Sequence, residues 1–156
     1  MTSLSVLVDS NLLLLLIVGL TSRDYVAKHK RLREFTPEDF DLLKEQLSVA
    51  SEILVTPNTL TETSNLIDHI GEPARSKIFS KLRELVSLSS TRETYLPSHS
   101  ALSRLELPRL GLTDCALLDA CASGTPLITV DLHLYLAAVS AGNKALNFNH
   151  LRDARL

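Results

Sequence analysis

The stretch Val6-Leu-Val-Asp9-Ser10-Asn11-Leu12-Leu-Leu-Leu-Leu-Ile-Val-Gly-Leu20 decides how the chain folds. Three apolar residues, two of them β-branched, run into an acid, and a second apolar run follows at once. The run from Leu12 to Leu20 is nine residues long, well short of the ~20 needed to cross a bilayer. Asp9 and Asn11 precede it and the first basic residue, Arg23, follows it, the reverse of a signal peptide's charge order. The segment therefore reads as a short buried strand over Val6–Asp9 and a buried helix from about Leu12, packed against a sheet. No targeting segment is visible, and a cytoplasmic protein without a membrane span is expected.

The same alternation continues along the chain. Thr36-Pro-Glu-Asp39 offers an N-cap, a proline at the first helical position and acids in the first turn, so a helix to about Ala50 is expected. Ile53–Val55 is a second strand, stopped by Thr56-Pro57. A helix over Leu60–Ile70 ends at Gly71, and another covers Pro73–Leu88. A third strand falls around Thr91–Leu96. Thr113 is placed as the cap of a helix from Asp114 to Ala122, closed by Gly124. Leu127–Val130 is a buried strand, Leu132–Ala141 a helix ending at Gly142, and Ala145–Phe148 a last strand. Strands and helices alternating at these lengths predict an α/β fold, three layers with a central, mostly parallel sheet. Neither an internal repeat nor a linker interrupts residues 1–156, so one domain is expected.

Composition narrows the function classes. Leucine fills 33 of 156 positions, aromatics are 4% and tryptophan is absent, so the core is aliphatic. The 5 glycines and 6 prolines are too few for a fibrous or low-complexity chain. A net charge of −2 means that any polyanion must be met by local basic patches or by bound cations. Cys115 and Cys121, six apart in a helical stretch, cannot bridge within one helix and have no Cys/His cluster around them, so reduced buried thiols are expected.

In parallel sheets with helices on both faces, ligands bind beyond the carboxyl ends of the strands. Asp9 ends the first strand and Asp131 ends the Leu127–Val130 strand, both at that edge. Either is also suited to cap the helix that follows it. Glu62 sits near the start of the helix after the second strand, where Thr59-Leu-Thr-Glu62 matches a capping box. Asp114 follows Thr113 at a helix start, where the macrodipole favours an acid. Taken together the four can face one pocket. Converging carboxylates repel, so a hard divalent cation is the natural occupant, and oxygen-only ligation suits Mg2+ or Mn2+.

At these residues the sequence resembles the PIN-domain nucleases, the fold of VapC-type toxins and related ribonucleases. The resemblance is carried by Val6-Leu-Val-Asp9-Ser10-Asn11, Thr61-Glu62-Thr-Ser-Asn65-Leu, Leu112-Thr113-Asp114-Cys-Ala-Leu-Leu and Leu127-Ile-Thr129-Val-Asp131. Leu134, Gly142 and Leu146-Asn147-Phe148 fit the family's closing helix and strand. It covers nearly the whole chain except roughly Arg23–Ser51. It implies an endoribonuclease whose metal-binding acids are Asp9, Glu62, Asp114 and Asp131, with Ser10, Asn11 and Thr129 lining the site. It also implies in-line attack of water on a phosphodiester, leaving a 5′-phosphate and a 3′-hydroxyl. A homodimer and a small antitoxin protein are the partners it implies besides RNA. Asn11 is suited equally to capping the buried helix, and Asp119, five residues after Asp114, is expected to point away from the site.

For the RNA backbone, Lys28-His-Lys-Arg-Leu-Arg33 is the densest basic run, with Lys28, Lys30, Arg31 and Arg33 as phosphate contacts. Lys77 and Lys81, flanked by Arg75 and Arg83, form a second stripe. Each is also what a solvated helix face looks like. Few aromatics are available for stacking on bases. Of five scattered histidines only His133 is expected near the site, so a metal-free His–His ribonuclease is disfavoured. Two other classes remain: a catalytically silent PIN-like module binding RNA or protein, and a haloacid dehalogenase-type phosphohydrolase using Asp9. The latter usually carries a second Asp where this chain has Asn11.

Overall fold

The computed structural model describes residues 4–155. In chain order they form β1 (Ser5–Val8), α1 (Ser10–Thr21), two 3-10 turns (Arg23–Tyr25 and Lys30–Leu32), α2 (Pro37–Ser48), β2 (Glu52–Val55), α3 (Pro57–Ile67) and α4 (Ala74–Val86). There follow β3 (Thr91–Glu93), α5 (Ser98–Leu102), α6 (Leu107–Leu110), α7 (Leu112–Cys121), β4 (Leu127–Thr129), α8 (Leu132–Ser140), β5 (Ala145–Asn147) and α9 (Phe148–Ala154). The strands make one sheet in the order β3-β2-β1-β4-β5, parallel at every pairing. The three-layer α/β/α architecture expected from the alternation is the one observed.

The pleat sorts side chains to two cores. Val6, Val8, Ile53, Val55 and Ile128 face the core built on α1, while Leu7, Leu54 and Leu127 face the core under α7 and α8. Leu12 through Val18 are each 0–4% exposed. A helix apolar on every side must be covered on every side, and α1 is covered by the sheet and by α2, α3 and α4. At Gly19 it is met by the Phe40 ring of α2. A Cβ on Gly19 would lie 2.1 Å from Cδ1 of that ring. No helix among the described residues is long and apolar enough to cross a membrane.

Helix starts differ from expectation in two informative places. α2 starts as expected, with Thr36 and Asp39 forming a reciprocal capping box and Pro37 in the first turn. α3, however, begins at Pro57, three residues before Leu60. Its cap is Thr56, whose hydroxyl accepts from the Thr59 N–H at 3.0 Å. Proline's fixed φ decides between the two threonines. The Thr59–Glu62 box therefore does not form, and Glu62 stands in the second turn free of a capping role. α7 likewise begins at Leu112, so Thr113 lies inside the helix instead of capping it. The residue before α7, Gly111, has a φ of +85°, a conformation glycine adopts without penalty.

The short helices α5, α6 and α9 were not expected, because four to seven residues show no helical period. β3 stops at Glu93, before Leu96, and β5 stops at Asn147, which caps α9.

Gly19→Ala is expected to gain up to ~1 kcal/mol of helix propensity and to lose ~1–3 kcal/mol by forcing the Phe40 ring away. The net result is a lower urea midpoint, recovered in the double variant with Phe40→Leu. A midpoint at or above wild type in the single variant would show that the ring gives way freely.

Candidate functional site

β1 and β4 lie side by side, with Val8 opposite Ile128, although 120 residues separate them in sequence. From this pair the chain order runs outward in both directions, so their carboxyl ends flank the point where the sheet's winding reverses. Asp9 and Asp131 stand just beyond these two ends. Asp9 is 4% exposed. Its Oδ1 accepts from the Leu12 N–H at 2.8 Å, capping α1, while its Oδ2 accepts from the Val130 N–H at 3.0 Å and from the Thr129 hydroxyl. The same Thr129 hydroxyl accepts from the Asp131 N–H at 2.9 Å. Asp131 in turn caps α8 through Oδ1, 3.0 Å from the Leu134 N–H. Both acids do cap their helices. Capping orients each carboxylate without consuming all its oxygen lone pairs, so the two roles are compatible.

The other two acids arrive from opposite layers. α3 and α7 meet at this edge, where a cleft of about 340 Å³ is lined by Pro57, Asn58, Thr61, Glu62, Asn65 and Thr113. Asp114 follows Thr113. Its carboxyl is pushed up to about 7, first by burial and then by the charges of Asp131, Asp9 and Glu62. Acids from three other segments thus act on Asp114. Burial also raises the Asp9 carboxyl, against the lowering effect of its bonds to Thr129, Leu12 and Val130, with Asp131 adding to the rise. Exposure is graded: Asp9 is buried, Asp114 half-buried, and Glu62 and Asp131 open to solvent. Among the described residues, no three His, Cys, Asp or Glu side chains stand close enough to form a ready ligand set.

Of the three expected lining residues, Thr129 is the hydroxyl that links Asp9 to Asp131. Ser10 is buried and its hydroxyl has no hydrogen-bond partner among the described residues. Asn11 is in the first turn of α1, whose cap is Asp9, so the capping alternative for Asn11 does not hold. Asn149, not anticipated from sequence, donates from Nδ2 to the Val130 carbonyl at 3.3 Å. Nothing in the sequence signals it, because it lies on the unexpected α9.

Lys28, Lys30, Arg31 and Arg33 are exposed, and the Lys30 N–H donates to the His69 carbonyl just past the end of α3. In the second stripe Lys81 pairs with Glu84 at 3.1 Å and Arg75 with Asp68 at 2.7 Å, leaving Lys77 exposed on the same helix. Asp119 points away, as expected, bonding Arg104 at 2.7 Å. His133 lines a groove with Glu106 and Arg109. Cys115 and Cys121 are buried free thiols, and burial pushes Cys121 up to about 11.

Because the Asp114 carboxyl titrates near 7 when folded, against 3.8 ordinarily, the folded state holds more protons than the unfolded state between those values. Stability therefore falls as pH rises through this window. In EDTA, the melting temperature of wild type should fall from pH 5 to pH 7.5 more steeply than that of Asp114→Asn, which cannot ionise. Parallel slopes would show that neither burial nor the neighbouring acids raise the Asp114 carboxyl. No protein-family model and no curated protein matches this chain.

Proposed function

We propose that this protein is a metal-dependent endoribonuclease of the PIN-domain kind, hydrolysing RNA phosphodiester bonds at Asp9, Glu62, Asp114 and Asp131. One observation carries the reading: Asp131, Asp9 and Glu62, from three other segments, are the charged groups that act on the half-buried Asp114, and all three are acids. Elsewhere the chain neutralises a buried carboxylate with arginine. Asp39, 2% exposed, has Arg152 at 3.1 Å and Arg155 at 2.6 Å. Among the described residues the acids at the sheet edge receive no such partner, which favours an external cation.

The donor chemistry fits Mg2+ or Mn2+, since every candidate ligand is a carboxylate oxygen and the hydroxyls of Ser10 and Thr129 add only oxygen. Magnesium is held through one or two carboxylates and several waters, which suits acids that stand apart. When bound, the cation supplies charge neutralisation at the scissile phosphate and an acidified water. The chain's own residues do the positioning. Asp9, fixed by three donors, is the deep and rigid acid. Asp131 keeps Oδ2 clear of the helix it caps, and Glu62 presents an exposed carboxylate to the cleft. Lys28, Lys30, Arg31 and Arg33 meet backbone phosphates at a distance from the acids. A homodimer and a small antitoxin protein belong to the same reading, supported by the exposed Leu132, Leu136 and Val139 on α8.

RNA and an aryl phosphate monoester, each with Mg2+, Mn2+ or EDTA, separate the possibilities. RNA should be cut with either cation and not in EDTA, and Asp114→Asn should lower kcat at least ~100-fold. Binding without cutting would mark a silent module, and turnover of the monoester alone a phosphohydrolase. Replacing Lys28, Lys30, Arg31 and Arg33 together with Ala should raise KM more than it lowers kcat and flatten the salt dependence of RNA binding. An unchanged salt slope would return this run to a solvated surface.

A further inference from the structure

The peptide that joins Val130 to Asp131 is held at both ends. Its N–H, from Asp131, donates to Thr129 Oγ1 at 2.9 Å, and its carbonyl, from Val130, accepts from Asn149 Nδ2 at 3.3 Å. The first bond comes from inside the acid site. The second comes from Asn149 of α9.

Asn149 is itself held. Its Oδ1 accepts from Arg152 Nη1 at 2.9 Å, which fixes the amide so that Nδ2 faces Val130. Arg152 spends its other end on the Glu34 carbonyl at 2.6 Å and on Asp39 Oδ2 at 3.1 Å. Its guanidinium lies 4.9 Å over the Phe35 ring. Asp39 is held by the Thr36 N–H at 2.8 Å and by Arg155 at 2.6 Å. Each member has a buried or charged partner, so the chain from α2 to Val130 has little slack. A planar guanidinium with fixed donors suits such a brace better than a lysine ammonium.

We infer that Asn149, braced by Arg152, is a positioning residue for the acid site: it fixes the Val130–Asp131 peptide and thereby the direction in which Asp131 presents its carboxylate. Its effect on catalysis rests on the nuclease reading above, whereas the restraint itself does not. Outer residues that orient metal-site ligands are typically worth about 10–100-fold in metal affinity or activity.

Asn149→Asp is the discriminating variant. It keeps an oxygen for Arg152 and replaces the donor to Val130 with an acceptor. Arg152→Gln tests the brace one step further out. Arg155→Ala removes the neighbouring ion pair to Asp39 without touching Asn149. In metal-free protein, amide hydrogen exchange at Asp131 should quicken about tenfold in Asn149→Asp and in the same direction in Arg152→Gln. Exchange at Leu7 and Ile128 should stay as in wild type. With Mg2+, the cation concentration for half-maximal RNA cleavage should rise about 10–100-fold while KM for RNA is unchanged. Arg155→Ala should lower the melting temperature and move both readouts less than Arg152→Gln does. Unchanged exchange at Asp131 in Asn149→Asp, or an equal rise in Arg155→Ala, overturns the inference. If wild type cuts no RNA, the nuclease reading fails by itself, and the exchange results alone uphold or overturn the brace.

Discussion

A carboxylate 4% exposed to solvent has to be satisfied by the protein, and at Asp9 that requirement ties the molecule together. Its three donors come from the first turn of α1 and from the end of β4. One side chain thus starts the central helix and clasps the two strands where the sheet's winding reverses. The hydrogen bonds favour the charged form, while burial and Asp131 oppose it, and the opposition prevails. Asp9 is held in place without being electrostatically content. Its position is fixed by donors on two elements rather than by a countercharge.

Asp39 is buried as deeply as Asp9. Burial acts to raise that carboxyl too, yet the Thr36 N–H and two arginines outweigh it and leave its pKa below the ordinary value. Asp39 is structural: it caps α2 and binds α9 across the first layer. The same chain therefore treats two buried aspartates in opposite ways. Where arginine arrives, charge is cancelled and elements are locked. Where only other acids arrive, repulsion is retained.

Layer geometry explains how acids so far apart in sequence meet. Parallel strands all deliver their carboxyl ends to one edge, and the helices that follow begin there. Asp9 and Asp131 follow two strands made adjacent by the crossover. Glu62 and Asp114 come from helices on opposite faces of the sheet that touch only beyond its edge. The gradient from buried Asp9 to open Glu62 and Asp131 gives the site a fixed floor and an accessible rim.

Much of this was legible in local residue order. Val6-Leu-Val-Asp9 followed by nine apolar residues specified a strand, an acid and a buried helix, because period-2 burial and all-round apolarity are properties of adjacent residues. Thr36-Pro-Glu-Asp39 specified a helix start for the same reason. Sequence was less sure where two local signals competed. Thr56 and Thr59 both precede helical residues, and Pro57 decided for Thr56, which released Glu62 from the capping box its spacing matched. α5, α6 and α9 carried too few residues to show a period. Only the tertiary structure decided that β1 lies against β4, that the Thr129 hydroxyl links Asp9 to Asp131, and that Asn149 reaches Val130 from a terminal helix. Those contacts join residues as far as 120 positions apart, and their partners are chosen by packing and by the need to satisfy buried polar atoms, neither of which is written in any short stretch of chain.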